Sequence, residues 1–206
     1  MTLKNKFNIE NEVELARVEE KISKKKAIEI WSSGELKNFQ AGSFKSLAEI
    51  HRRLFEDIYY FAGRLRSENI SKGNFRFASA IYLGEVVAAV EKMPQSNFDE
   101  IISKYVEMNI AHPFREGNGR SMRLWLDRIL ALELGKVIDW SRVEKNSYLH
   151  SMERSPINDD EIKKLLQNPL TEKIDDREIF MKGLDASYFY ENYMTYRSSD
   201  LFTKKV

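Results

Sequence analysis

Apolar residues return at three- and four-residue spacing along most of the chain, the period of helices that bury one face. Residues 11–32 carry an interrupted stripe of this kind through Val13, Ala16, Ile22, Ala27, Ile30 and Trp31. Ser46 and Glu49 form a capping box. It predicts a helix with Leu47, Ile50, Leu54, Ile58 and Phe61 on one face, closing at Gly63. At residues 70–78 the period changes: ISKGNFRFA alternates about Gly73 and Asn74, which signals a β-hairpin. A short helix over 82–92 stops before Pro94. Asn97 caps the next, with Asp99 and Glu100 in its first turn. Its face of Ile101, Ile102, Tyr105 and Val106 leads straight into Asn109 and His112. From Arg120 onward Met122, Trp125, Leu126, Ile129 and Leu130 predict a helix to about Leu134, ended by Gly135. Residues 139–182 read as shorter helices around Pro156 and Pro169, with Gly183 ending one and Asp185 capping the last. The expectation is a mainly α chain with one small hairpin. With no repeat or linker in view, residues 1–206 form one domain.

Composition narrows this only a little. Charged residues make up 32% of the chain and apolar ones 42%, as in ordinary globular proteins. A formal net charge of +1 gives no field that argues for nucleic acid or an anionic membrane. Lys24, Lys25 and Lys26 form a basic run, but Glu19, Glu20 and Glu29 flank it, so a solvated helix face is expected. There is no cysteine, which excludes disulfides and thiolate chemistry. No apolar stretch is long enough to span a bilayer, and the first residues lack the apolar region of a signal peptide. A cytoplasmic location is the expectation.

The chemistry concentrates in residues 112–123, HPFREGNGRSMR. Gly117 and Gly119 allow backbone angles that other residues avoid, so the segment can curl its N–H groups into an anion nest. The nest opens a helix N-terminus, where unpaired N–H groups and the macrodipole favour negative charge. Arg120 and Arg123 sit in that first turn, where cations do not help a bare helix. Their forked guanidiniums suit phosphate oxygens. Glu116 can hold a Mg²⁺ that bridges phosphates. His112 has the intrinsic pKa of a general base near neutrality. The three histidines, His51, His112 and His150, show no metal-ligand spacing. His51, following Ile50, reads as structural.

This segment matches HxFx(D/E)GNGRxxR at every defined position, and the chain thereby resembles the Fic family. The resemblance implies a mainly α fold in which central helices surround the loop–helix motif, with a small β-hairpin flap. It implies a protein adenylyltransferase that moves AMP from ATP to a Tyr, Thr or Ser hydroxyl, with Mg²⁺ or Mn²⁺. In that reading His112 deprotonates the target hydroxyl, Glu116 holds the metal and Phe114 is a buried anchor. Gly117, Asn118 and Gly119 hold phosphates, Arg120 and Arg123 engage the β/γ region, and Asn109 belongs to the ATP site. The 70–78 hairpin resembles the flap over the active site, with Lys72 reaching phosphates and Phe75 or Phe77 clamping the target. His150 lies where family members often line the adenine pocket.

Residues 187–192, SYFYEN, resemble the family's inhibitory motif (S/T)xxxE(G/N). A C-terminal copy marks the single-domain, self-inhibited class, and places an inhibitory helix at about 185–197. Ser187 and Glu191 then share a face, and Glu191 pairs with Arg123 in place of the γ-phosphate. Tyr188 resembles a tyrosine that relatives label on themselves, and Glu191 leaves removal of AMP open as a second activity. The target is an unidentified protein; bacterial members of this class often act on topoisomerase subunits. The tyrosine-rich stretch near 188–196 offers a surface for homo-oligomer contacts. The alternatives are a Fic-type phosphotransferase of another specificity, or a non-catalytic nucleotide-binding regulator.

Overall fold

The computed structural model describes residues 2–73, 75–193 and 195–202, so Asn74, expected at the hairpin tip, lies outside the described residues. Helix α1 (Glu12–Ser32) starts where the Asn11 side chain accepts the Glu14 N–H at 3.0 Å. Its stripe is interrupted for a structural reason. Glu19, Glu20, Ser23 and Lys24 are buried, whereas Val13 is exposed. The Lys24 part of the basic run is therefore interior, not a solvated face, because carboxylates on two helices meet it: Glu20 and Asp185, each at 3.0 Å.

Helix α2 (Phe44–Phe55) begins one turn before the expected capping box. Gly42, at φ 78°, breaks the preceding chain, and Ser43 rather than Ser46 caps, its Oγ accepting the Ser46 N–H at 3.1 Å. The helix also ends before Gly63. Ile58 is still wholly buried, carried inward by turns rather than by helix. The hairpin forms as expected: β1 (Ser71–Lys72) pairs antiparallel with β2 (Phe75–Arg76), Lys72 opposite Phe75. Helices α3 (Leu83–Glu91) and α4 (Phe98–Ala111) follow, α4 capped by Asn97.

Helix α5 (Asn118–Leu134) is the centre of the fold, packed against both α2 and α4. Its Met122, Trp125, Leu126, Ile129 and Leu130 have no exposed surface. Trp125 Nε1 also donates to the Ser43 carbonyl at 3.0 Å, joining α5 to the start of α2. Beyond it, a two-stranded ribbon joins β3 (Val137–Ile138) to β4 (Leu170–Thr171) around α6 (Lys145–Arg154) and α7 (Asp160–Gln167). Two-residue strands leave no alternation to read, and the sequence offered no sign of this ribbon.

The last long helix, α8 (Arg177–Phe189), corrects the expected boundaries of 185–197. Its cap is Asp176, which accepts from Glu178 N at 2.8 Å and Ile179 N at 3.0 Å. Gly183 does not end a helix and Asp185 does not start one; both lie inside α8. Gly183 packs against the Trp140 ring, where a Cβ would meet it at an ordinary contact distance of 3.4 Å, so no turn depends on this glycine. The helix ends in a Schellman turn: Tyr193 N–H reaches Tyr188 O and Asn192 N–H reaches Phe189 O, both at 3.0 Å. Asn192 holds the left-handed position, φ 68°. That geometry explains a Gly-or-Asn preference after the glutamate, since both tolerate positive φ. A final turn, α9 (Ser198–Leu201), lies against α1 and α8. Among the described residues, no helix is long and apolar enough to cross a membrane.

Removing the Trp125 side chain takes away a fully buried indole and its bond to Ser43. Trp125→Ala is expected to cost about 3–5 kcal/mol of unfolding free energy, read as a lower denaturant midpoint with unchanged slope. A loss under about 1 kcal/mol would contradict a central role for α5.

Candidate active site

His112 ends α4 in the left-handed region, φ 48°, with its N–H on Met108 O at 3.0 Å. A non-glycine residue there is strained by roughly 1–3 kcal/mol and persists only where its surroundings insist on it. Arg66 supplies the insistence. Its guanidinium, 5% exposed as a residue, donates to His112 O at 2.8 Å, Ala111 O at 3.1 Å, Ala78 O at 2.5 Å and Glu68 O at 2.7 Å. One cation thus satisfies the open carbonyls at the end of α4 and ties the base of the hairpin to them. Sequence reading missed Arg66, which lies in a turn segment where no periodicity marks it.

Above His112 lies Phe77, stacked on the imidazole at 3.8 Å between centroids, with Phe75 edge-on to Phe77 at 5.2 Å. Phe77 therefore clamps the histidine itself. His112 Nδ1 is buried without a well-formed hydrogen bond among the described residues. Burial is the largest influence on the imidazole. It outweighs the Asn109 carbonyl and the Glu191 carboxylate, which pull the other way, and leaves the pKa at about 4. The ring is neutral through the physiological range.

The nest opens α5 as expected, with Gly117 at φ 77° in the cap position. A Cβ there would strike the Phe55 ring, so the glycine is required by both angle and space. A Cβ on Gly119 would collide with Glu191 and lie 2.9 Å from Arg123 Nη1. Its absence lets a carboxylate approach the helix end. Asn118 departs from its expected use. Its side chain accepts from Phe114 N at 2.8 Å and donates to Phe114 O at 2.7 Å, so it braces the loop from within and offers the nest only its backbone. Phe114 is wholly buried, stacked on His51 at 3.8 Å.

Both arginines are buried, and both face carboxylates. Arg123 donates through Nε to Ser187 Oγ at 2.6 Å and through Nη2 to Ser187 O and Glu191 Oε1, each at 2.8 Å. Arg120 is ringed by three carboxylates: Glu19, bonded through Nη1; Glu116, 3.1 Å from Nη2; and Glu191, 3.0 Å from Nε. Burial pushes the Glu191 carboxyl up, but Arg120 and Arg123 outweigh it and hold the pKa below its usual value. Burial dominates at Glu116 and raises its pKa, aided by Glu19 and Glu191 and opposed by Arg120.

The C-terminal segment is strapped down beyond these contacts. Lys24 Nζ donates to Tyr196 O at 2.5 Å, and Glu20 accepts from Thr195 N and Tyr196 N at 2.9 and 3.1 Å. Asp185 accepts from Ser198 N at 3.0 Å. Glu19, Glu20 and Lys24 were not found as functional residues in the sequence, because their partners lie on the far side of the chain.

Of the tyrosines in the stretch 188–196, Tyr188 and Tyr190 turn inward, whereas Tyr193 and Tyr196 are half-buried. Tyr188 is wholly buried, its hydroxyl donating to Ser23 Oγ at 2.7 Å, and Tyr190 is 3% exposed. The guanidiniums attract them: the Tyr193 ring lies 4.7 Å from Arg120 and the Tyr190 ring 5.4 Å from Arg123.

One open pocket of about 910 Å³ collects these groups. Its lining includes Lys72, Phe75, Phe77, Asn109, His112, Glu116, Gly117, Asn118, Gly119, Arg123 and Glu191. Leu149, Met152 and Glu153 of α6 form part of the wall. His150 does not; it is exposed, because residues 148, 149 and 152 take the inward face of that helix.

A family model described as the Fic/DOC family matches residues 43–130, which span α2 through most of α5. The chain is 30% identical over 165 residues to the probable protein adenylyltransferase y4lH of Sinorhizobium fredii, covering 74% of this chain and 82% of that one. The chain belongs to the Fic/DOC family. It is also 31% identical over 180 residues to the protein adenylyltransferase VbhT of Bartonella schoenbuchensis, covering 82% of this chain and 37% of VbhT. The Fic fold is shared with the BepC effector of Bartonella tribocorum, solved with AMPPNP bound. The TM-score is 0.68 at 19% identity, over 83% of this chain and 93% of that one.

Because burial penalises the imidazolium, His112 is expected to protonate only near pH 4, so its Fic-motif ring stays neutral as pH falls from 8 to 5. NMR titration of the His112 ring resonances checks this. A midpoint at or above the ordinary value of about 6.5 would contradict the buried environment.

Proposed function

We propose that this protein is a self-inhibited adenylyltransferase that transfers AMP from ATP to a hydroxyl side chain of a target protein. The observation that carries the reading is the convergence on one pocket of the neutral His112, the α5 nest and Arg123, with Glu191 seated on Arg123 and Arg120. The names of VbhT and y4lH, both called adenylyltransferases, support it, as does the nucleotide bound to BepC.

ATP places its phosphates over the N-terminus of α5, where backbone N–H groups stabilise charge that develops on the α-phosphoryl oxygens. Arg123 and Arg120 take the β- and γ-phosphates once Glu191 leaves. Lys72 on the hairpin adds positive charge from the other side. The target hydroxyl enters beneath the flap, and His112 takes its proton as the oxygen attacks the α-phosphorus in line, with pyrophosphate leaving. A positioned base of this kind contributes roughly 10²–10⁴-fold.

A divalent cation fits the residues present. Among the described residues no cluster of three or more ligating side chains exists. Of the pocket carboxylates, Glu116 stands at the nest, and one such ligand suits Mg²⁺ or Mn²⁺ that takes its remaining ligands from phosphates and water. When bound, the ion neutralises charge on the phosphates; Glu116 supplies the protein ligand.

With Glu191 docked, the terminal phosphate has lost its arginine. ATP is held out of line, and a displacement of about 1 Å costs on the order of a hundredfold in rate. Glu191→Gly is therefore expected to raise transfer of label from α-labelled ATP by about that factor, and His112→Ala in that background to lower it by about 10²–10⁴-fold. Intact-mass analysis identifies the group: a gain of AMP supports the proposal, whereas a gain of phosphate alone supports a phosphotransferase. ATP binding without any transfer supports a regulator.

Tyr188 is the proposed site of self-modification. Its burial against Ser23 means that it is reached only after α8 undocks. AMP on Tyr188 then opposes redocking by size and charge. Peptide mass spectrometry of the Glu191→Gly protein after incubation with ATP is expected to find the adduct; an unmodified Tyr188 in an active preparation removes this part of the account.

A further inference from the structure

His51 lies on α2, outside the pocket lining and with no exposed surface. Its hydrogen bonds determine its tautomer. The Gly63 N–H donates to Nδ1 at 2.9 Å. A ring nitrogen that accepts from an amide carries no proton, so in the neutral ring Nε2 carries it. Nε2 therefore donates to the Glu116 carbonyl, 2.8 Å away.

That bond acts on more than one atom. A trans peptide is planar, with its C=O and N–H pointing to opposite sides. Holding the Glu116 oxygen on His51 aims the Gly117 N–H away from His51. There it donates to Glu116 Oε1 at 2.9 Å, the same oxygen that lies 3.1 Å from Arg120 Nη2. The following residue is glycine at φ 77°. Glycine adopts negative φ as readily as positive, so it does not itself prevent the peptide from turning over. A turned peptide would present a carbonyl oxygen where an anion belongs.

We propose that His51 is a positioning residue for the reaction: it locks the Glu116–Gly117 peptide with its N–H toward the pocket, and through that N–H it orients the Glu116 carboxylate and the first amide of the nest. This rests on the transfer reaction proposed above. Sequence reading assigned His51 a structural part only. Stacking on Phe114 accounts for the ring, but not for a donor aimed at this one carbonyl.

Two substitutions separate the two nitrogens. In His51→Gln the side-chain amide reaches the place of Nε2 and can donate to Glu116 O. In His51→Asn it reaches only the place of Nδ1, keeping the Gly63 contact and losing the one to Glu116. Both are made in the Glu191→Gly protein, whose own transfer activity tests the proposed function independently. The Gln variant is expected to keep kcat within about fivefold. The Asn variant is expected to lose about thirty- to a hundredfold in kcat, the order that a misplaced reacting group costs. Its KM for ATP should change by less than about threefold, because the arginines still bind the substrate.

A second readout needs neither nucleotide nor metal. With glycine labelled by ¹⁵N, the chain has only nine labelled residues. The Gly117 amide proton should keep its hydrogen-bonded, downfield position in the parent and Gln proteins and move upfield in the Asn protein. Should the Asn variant not fold, a folded Gln variant decides the matter by the same resonance and by kcat. Equal kcat and unmoved Gly117 resonances in Asn and Gln overturn the proposal, as does a folded Gln variant that has lost both. If the parent transfers nothing while the Gly117 resonance follows the expected pattern, the transfer reading fails and the positioning of the peptide stands.

Discussion

Two guanidiniums buried at the positive end of a helix require anions, and the rest of the structure is arranged around that requirement. Removing a cation from water costs several kcal/mol unless close partners replace the lost hydration. Arg120 and Arg123 are at most 3% exposed, and the α5 N-terminus adds its own unpaired N–H groups. Glu19 serves Arg120 from within the core and Glu116 from the pocket side, but Arg123 relies on Ser187 and Glu191, which arrive from the end of the chain. The pocket therefore holds its own carboxylate or a phosphate. In the proposed function, self-inhibition follows from the same electrostatics that make the site attractive to ATP.

The remaining fold serves that exchange from two directions. The loop is made rigid by side chains turned away from substrate space: Asn118 braces Phe114 from within the loop, while Arg66 holds the end of α4 and His51 holds Glu116 from outside the pocket lining. The inhibitory end of α8 is held by contacts of a different kind. The Schellman turn at Asn192 aims Glu191 at the arginines. The buried Glu20–Lys24 pair, joined by the half-buried Asp185, fastens the following segment to α1. The loop and the end of α8 are thus held largely by separate sets of contacts, which suits the proposed function, in which the arm leaves without disordering the loop.

Much of this was legible in the sequence because it is local. The loop motif, its glycines and the helix it opens lie within residues 112–134, and the hairpin within nine residues. The apolar period located α4 and α5 closely. What stayed hidden joins distant parts of the chain. Arg120 meets Glu19 across 101 residues, Lys24 meets Asp185 across 161, and Arg66 meets His112 across 46. A polar residue with a remote partner looks the same in sequence as one in water, which is why Lys24 read as solvated and the stripe of α1 looked imperfect. The start of α8 was misplaced for a related reason. Gly183 and Asp185 resemble a stop and a start, yet one lies inside α8 against Trp140 and the other is paired with Lys24.

The central claim is that Glu191 occupies the place of the terminal phosphate on Arg123. Crystals of the Glu191→Gly protein grown with Mg²⁺ and a non-hydrolysable ATP analogue test it most directly. The account predicts a γ-phosphate oxygen within hydrogen-bond distance of Arg123 Nη2, where Glu191 Oε1 now lies, and the α-phosphorus open to His112. A triphosphate that leaves Arg123 unengaged, with its γ-phosphate elsewhere in the pocket, would contradict it.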